Sequence, residues 1–176
     1  MENLLEKYKV ELSTKDEMVS CIILDEKGRP LRLQRKENEK VKSPKYDFCS
    51  GSIKKGEIPL IAMMRELIEN LQLDQKDICE IYRLGEVETL YPQVTQARTH
   101  MYCLFTNCSI ETINQKLKEN PISKLSNGEF LKDLQELKEQ LKNLDIGWRV
   151  PFNCETREKI DEIGHIIEKR LQQRER

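Results

Sequence analysis

The chain has 176 residues, a formal net charge of −1 from 30 basic and 31 acidic side chains, 38% hydrophobic content and only 6% aromatic content. That suits one domain, residues 1–176, with an aliphatic core and a densely charged surface. The balance excludes any general attraction to nucleic acid or to an anionic membrane, and no stretch approaches the ~20 apolar residues of a membrane span.

The opening residues, Met1-Glu-Asn-Leu-Leu-Glu-Lys, are charged and do not read as a signal peptide, so the expected location is cytoplasmic. Among Cys21, Cys49, Cys79, Cys103, Cys108 and Cys154 there is no Cys-x-x-Cys pair, which argues for reduced thiols and against a zinc ribbon. Met18 to Asp25 predicts a buried strand, Glu26 to Pro30 a turn, and Leu31 to Arg35 a half-buried strand, together a hairpin. A lysine-rich loop over 36–45 leads to a short strand, Tyr46 to Ser50, that delivers Gly51. A helix is predicted from about Pro59 through Leu71, with Leu60, Met63, Met64, Leu67, Ile68 and Leu71 at helical spacing.

Ile78 to Thr89 and Thr99 to Thr106 predict two further strands, joined through Tyr91-Pro92. Ser109 to Glu119 predicts a helix with serine as its cap. From Asn127 a short strand and a helix follow; Phe130, Leu134, Leu137, Leu141 and Leu144 have a four-three spacing that is read as packing on the sheet. After Trp148, Thr156 to Arg174 predicts an amphipathic helix with Ile160, Ile163, Ile167 and Leu171 on one side. The mixed order of strands and helices points to the α/β class, an α/β/α sandwich around a mixed sheet. A core of about 18–145 is followed by a helical C-terminal extension of about 146–176.

The chemistry is concentrated between Gly51 and Leu73, which reads Gly51, five residues, Glu57, seven residues, then Arg65-Glu66-Leu67-Ile68-Glu69-Asn70-Leu71-Gln72-Leu73. Glu66, Glu69 and Asn70 stand at i, i+3 and i+4, so they share one helix face. Hard cations such as Mg²⁺ take oxygen ligands, few of them from protein, with water and substrate phosphate completing the shell.

This segment resembles the Nudix box: Gly51, Glu57, Arg65, Glu66, Leu67, Glu69 and Leu73 fall on its defining positions. It departs in two places. Asn70 stands where the family has a second adjacent glutamate, usually a principal metal ligand, and Gln72 stands where it has glycine. Gln72 puts a non-glycine where a helix usually ends in a left-handed residue, which costs little if the helix simply runs on. The resemblance implies a Nudix-type fold and a hydrolase that cleaves the pyrophosphate linkage of a nucleoside diphosphate derivative with Mg²⁺ or Mn²⁺. It gives Glu66 and Glu69 metal-binding and catalytic roles, makes Asn70 a ligand through its carbonyl or through a bound water, and pairs Glu57 with Arg65 at the loop–helix junction.

A further acidic ligand is expected outside the box. Glu129, before the closing strand–helix unit, is preferred, with Glu111 and Glu88 as competitors. Lys42, Lys45, Lys54 and Lys55 can neutralise diphosphate or can be solvated surface charges, and Arg35 can reach the pocket or simply end its strand. Tyr91 and Trp148 are candidates for base stacking, with docking of a helix the competing role for Trp148. His100, inside a strand, reads as structural, and Cys49 reads as packing. The alternative to an enzyme is a nucleotide-binding or regulatory module of the same fold, weakened at Asn70. A third reading gives the C-terminal helices to a protein partner or a homodimer.

Overall fold

A computed structural model describes residues 16–37, 45–90 and 96–174 of the chain. Strand β1 (Asp16–Leu24) is the organising strand: it pairs antiparallel with β4 (Cys49–Ser52) on one side and parallel with β6 (Gln96–Thr106) on the other. Strand β5 (Ile78–Leu90) closes the sheet antiparallel to β6, giving the order β4-β1-β6-β5. The apolar run Cys21 to Leu24 fits this central place, because a strand buried on both faces needs no polar alternation. A second, antiparallel sheet runs β3-β2-β7, with β2 (Leu31–Arg35) between β3 (Tyr46–Asp47) and β7 (Leu125–Phe130).

The expected hairpin of the first two strands does not form. Both edges of β1 are taken by β4 and β6, so β2 joins the other sheet and only an isolated Leu24–Pro30 bridge links the two. Asp25 turns the chain by accepting from the backbone N–H groups of Lys27 and Arg29.

Helices cover the large sheet on both faces. Val19, Cys21 and Ile23 point to α1 (Pro59–Leu71) and α2 (Ile110–Lys118), while Ile22 and Leu24 point to α3 (Leu134–Lys142) and α4 (Cys154–Arg174). This is a mixed α/β sandwich. Met63, Leu67 and Leu71 of α1 are fully buried, each contributing about 1.5–3 kcal/mol of apolar transfer. Leu60 and Ile68, expected on the same face, are 44% and 51% exposed, so the buried stripe is narrower than the apolar spacing predicts.

Helix α4 sets Ile160 and Ile163 into the core, and Arg170 over the ring of Phe105. Leu171, expected with them, is half exposed. Leu137 and Leu141 pack on the sheet, whereas Leu144 is 93% exposed and lies outside the seam. Trp148 is a docking residue: its ring lies 5.1 Å from that of Phe48 and 5.9 Å from that of Tyr46, and its backbone bridges to β3. No helix among the described residues is long and apolar enough to cross a membrane.

Candidate active site

Strand β4 ends in Gly51 and Ser52, a turn follows from Lys54 to Glu57 around Gly56, and α1 starts at Pro59. Pro59 suits the first helical position, where its missing N–H would have no partner inside the helix. At the other end, Gln72 adopts the left-handed conformation, φ 53°, and its N–H donates to the Ile68 carbonyl at 2.9 Å while that of Leu73 reaches Leu67 at 3.3 Å. The helix therefore stops where the family has its glycine and does not run on. Gln72 adopts the glycine geometry without being glycine, and the Lys116 ammonium donates to its carbonyl at 2.8 Å.

Arg65 is the hub. Its Nε and Nη2 grip Glu57 at 2.9 and 3.0 Å, a bidentate pair; Nη2 also reaches the Ser52 carbonyl at 2.8 Å, and Nη1 reaches Glu66 at 2.9 Å and Glu69 at 3.4 Å. Fork geometry of this kind is specific to arginine. Hydrogen bonds from Arg65 hold the Glu57 carboxyl down at about 2, helped by the Lys54 backbone N–H. The same contacts hold the Arg65 guanidinium above its ordinary range.

Glu66 is only 4% exposed. Its Oε1 accepts from Arg65 and its Oε2 from the Asn70 amide at 2.7 Å, and the carboxylate lies directly against the Gly51 backbone. A Cβ at position 51 would meet the Glu66 carboxyl carbon at 2.1 Å, so the glycine is needed for this approach. Glu69, in contrast, has a side chain 47% exposed. Asn70 is turned inward at 5% exposure: its amide nitrogen donates to Glu66, and its Oδ1 accepts from the Lys124 N–H at 3.2 Å.

The structure brings Gly51, Glu57, Arg65, Glu66, Glu69 and Asn70 together. Glu129 is 67% exposed and pairs with Arg32 at 3.0 Å. It lies five residues along β7 from the Lys124 amide that meets Asn70, roughly 16 Å of extended chain. Glu88 is on β5, at the far edge of the sheet from β4, and its N–H donates to Glu155. Glu111 sits in the first turn of α2.

Lys54 contributes a backbone N–H to Glu57, and the side chains of Lys54 and Lys55 are exposed. Arg35 is committed to Asp47 at 3.0 Å, which Arg149 also approaches at 3.5 Å. Burial pushes the Asp47 carboxyl up against the opposing pull of Arg149 and Arg35. Tyr91 and Lys42 lie outside the described residues. His100 is buried between Arg83, whose Nη2 is 3.2 Å from Nδ1, and the carboxylates of Glu86 and Glu17. Cys49 is fully buried beneath α1, and burial raises its thiol well above the ordinary range, so it is a packing residue.

The 120–124 segment carries no signal in the sequence. Asn120 donates to the Glu69 carbonyl at 2.7 Å, Ser123 to the Asn70 carbonyl at 2.8 Å, and the Lys36 ammonium donates to the Asn120 carbonyl at 3.3 Å. Short polar residues in a loop carry no motif, and only the fold shows that this one is sewn onto α1.

Can these residues hold a divalent cation? Three carboxylates, those of Glu57, Glu66 and Glu69, meet one guanidinium, and two of them lie within 3.4 Å of a single Arg65 nitrogen. That surplus of negative charge fits a hydrated cation held through Glu66 and Glu69. Among the described residues no group of three or more His, Cys, Asp or Glu side chains is placed to hold a metal ion. Asn70 has its amide nitrogen on Glu66 and its Oδ1 on the Lys124 N–H.

A mixed-sheet sandwich with a glycine–helix turn that gathers glutamates around one arginine defines an α/β fold with an acidic site on α1. The sequence profile of the NUDIX domain matches residues 14–147, most of the chain, and the protein belongs to the Nudix family. Solved structures agree on the fold. DR0079 from Deinococcus radiodurans superposes with a TM-score of 0.53 at 14% identity, covering 88% of this chain and 82% of its own. The MutT protein from Methanosarcina mazei Go1 gives 0.53 at 16% identity, over 86% and 94%. The E. coli dihydroneopterin triphosphate pyrophosphohydrolase gives 0.50 at 18% identity, over 83% and 92%. No curated protein matches the chain by sequence.

Proposed function

We propose that the protein is a pyrophosphohydrolase that cleaves the diphosphate linkage of a nucleoside diphosphate-linked small molecule with Mg²⁺ or Mn²⁺. The observation that carries this reading is the gathering of Glu57, Glu66 and Glu69 around Arg65. Arg65 ties the turn before α1 to the helix, so the carboxylates stand in fixed relation to the Gly51 backbone. Glu66 is immobilised from two sides and serves as the fixed cation-binding group. Glu69 is half exposed and is the carboxylate positioned to meet solvent, hold the cation from the open side and take a proton from the attacking water. When bound, the cation stabilises charge on the phosphoryl oxygens and lowers the pKa of water. Lys54, Lys55 and Arg35 are proposed diphosphate contacts, and Glu129 a proposed outer acidic group that would have to move to reach the site.

The test is metal-dependent release of phosphate products from a panel of nucleoside diphosphate compounds, with Glu66→Gln as the matched control. Turnover lost in Glu66→Gln supports the reading, and equal rates in both proteins contradict it.

One observation favours a second reading. A neutral amide, committed on both atoms, replaces a carboxylate at position 70. A binding module built this way raises its melting temperature with ligand, turns nothing over, and gains activity on Asn70→Glu.

A further inference from the structure

Asn70 sits at a junction of two hydrogen-bond sets. Toward α1, its amide nitrogen donates to Glu66 Oε2 at 2.7 Å and to the Glu66 carbonyl at 3.2 Å. Toward the 120–124 segment, its Oδ1 accepts from the Lys124 N–H at 3.2 Å, and its carbonyl accepts from Ser123 Oγ at 2.8 Å. The amide nitrogen uses both of its N–H groups on Glu66, and the amide oxygen accepts from Lys124. A carboxylate at this position would keep the acceptor for Lys124 and lose the donor to Glu66, bringing two acids together.

We propose that Asn70 is a positioning residue rather than a cation ligand: its side chain aims the Glu66 carboxylate and fastens it to the backbone N–H of Lys124. The inference rests on Glu66 acting in the proposed reaction. Arg65 on Oε1 and Asn70 on Oε2 fix the plane of the carboxylate, and each oxygen keeps a further lone pair for a cation. Helix α1 and the Asn120–Lys124 segment then move as one body, so displacement of that segment displaces Glu66.

The experiment uses the full chain and reads two quantities: backbone hydrogen exchange at Lys124 by NMR, and kcat and KM on whichever panel compound is turned over. In Asn70→Ala the Lys124 N–H loses its acceptor and exchanges faster, on the order of fivefold or more for one lost hydrogen bond. In Asn70→Asp, which retains an acceptor and serves as well if the alanine variant does not fold, Lys124 stays protected. Its kcat nevertheless falls roughly tenfold or more at little-changed KM, since the lost donor is one that orients a catalytic group. Saturating Mg²⁺ leaves Lys124 exchange in the wild-type chain no faster.

Three results overturn the proposal. They are unchanged Lys124 exchange in Asn70→Ala, full kcat in Asn70→Asp, or faster Lys124 exchange when Mg²⁺ is added to wild type, which would mean that the Asn70 oxygen leaves Lys124 for the cation. A wild-type chain with no turnover defeats the hydrolase reading instead, and Lys124 exchange in Asn70→Ala still decides whether the clasp exists.

Discussion

The Glu66 carboxylate rests on the backbone of Gly51, in space that a single added methyl group would fill to within 2.1 Å of its carboxyl carbon. This contact joins the end of β4 to the middle of α1 and sets where the acidic face stands. Gly51→Ala is expected to drive Glu66 from its Arg65 and Asn70 partners and to cost about 1–3 kcal/mol of stability, the usual price of overpacking. Urea unfolding checks the stability and the compound panel checks turnover; an alanine variant with unchanged values on both would show that Glu66 is not fixed there.

Glu69 is expected to separate stability from chemistry. Its side chain is half exposed and shares Arg65 only at 3.4 Å. Glu69→Gln should change stability by no more than about 0.5 kcal/mol, as for surface substitutions, and should abolish metal-dependent turnover. Melting curves and rates measured on the same sample test both halves.

The Glu57–Arg65 pair gives a pH signature. Because the folded carboxyl is held down at about 2, below its unfolded value, the pair's contribution is complete above the unfolded value and is lost as pH falls toward 2. The wild-type advantage in melting temperature over Glu57→Gln should therefore be constant near neutrality and shrink between about pH 4.5 and 2. A gap between the two proteins that is independent of pH down to that limit would contradict the assignment.

Gln72 is the one described non-glycine residue with positive φ. The left-handed conformation costs an ordinary residue about 1–2 kcal/mol, and glycine returns part of that gain through its freer unfolded chain. Gln72→Gly is expected to raise stability by up to about 1 kcal/mol while leaving the Lys116 contact to the backbone carbonyl intact. Thermal unfolding measures this directly, and a loss of stability would show that the Gln72 side chain contributes.

Much of the fold was legible because local signals and burial agree. The bounds of β2 and α1 follow from alternation, from Pro59 and from helical spacing, and Ser109 caps α2 as its position indicates. What the chain did not disclose depends on partners distant in sequence. Strand β1 was readable as buried, but not that β4 and β6 would occupy both its edges and send β2 to another sheet. Trp148 was readable as either a stacking or a docking residue, and only the fold places it on Tyr46 and Phe48. Within the site, the i, i+3, i+4 spacing put Glu66, Glu69 and Asn70 on one helix but could not tell the inward-facing Asn70 from the open Glu69. The Asn70 side chain meets the 120–124 segment, some fifty residues away in the chain and without a motif of its own.

The central claim, water-driven cleavage of a diphosphate linkage through Glu66 and Glu69, is tested most directly by turnover in ¹⁸O-labelled water. The assay uses Mg²⁺ and the panel of nucleoside diphosphate compounds, with Glu69→Gln alongside. The account predicts one labelled oxygen in one of the two phosphoryl products of the wild-type protein and no product from Glu69→Gln. Unlabelled phosphoryl products, equal labelling by Glu69→Gln, or ligands that raise the melting temperature of a wild-type chain that forms no product would contradict it.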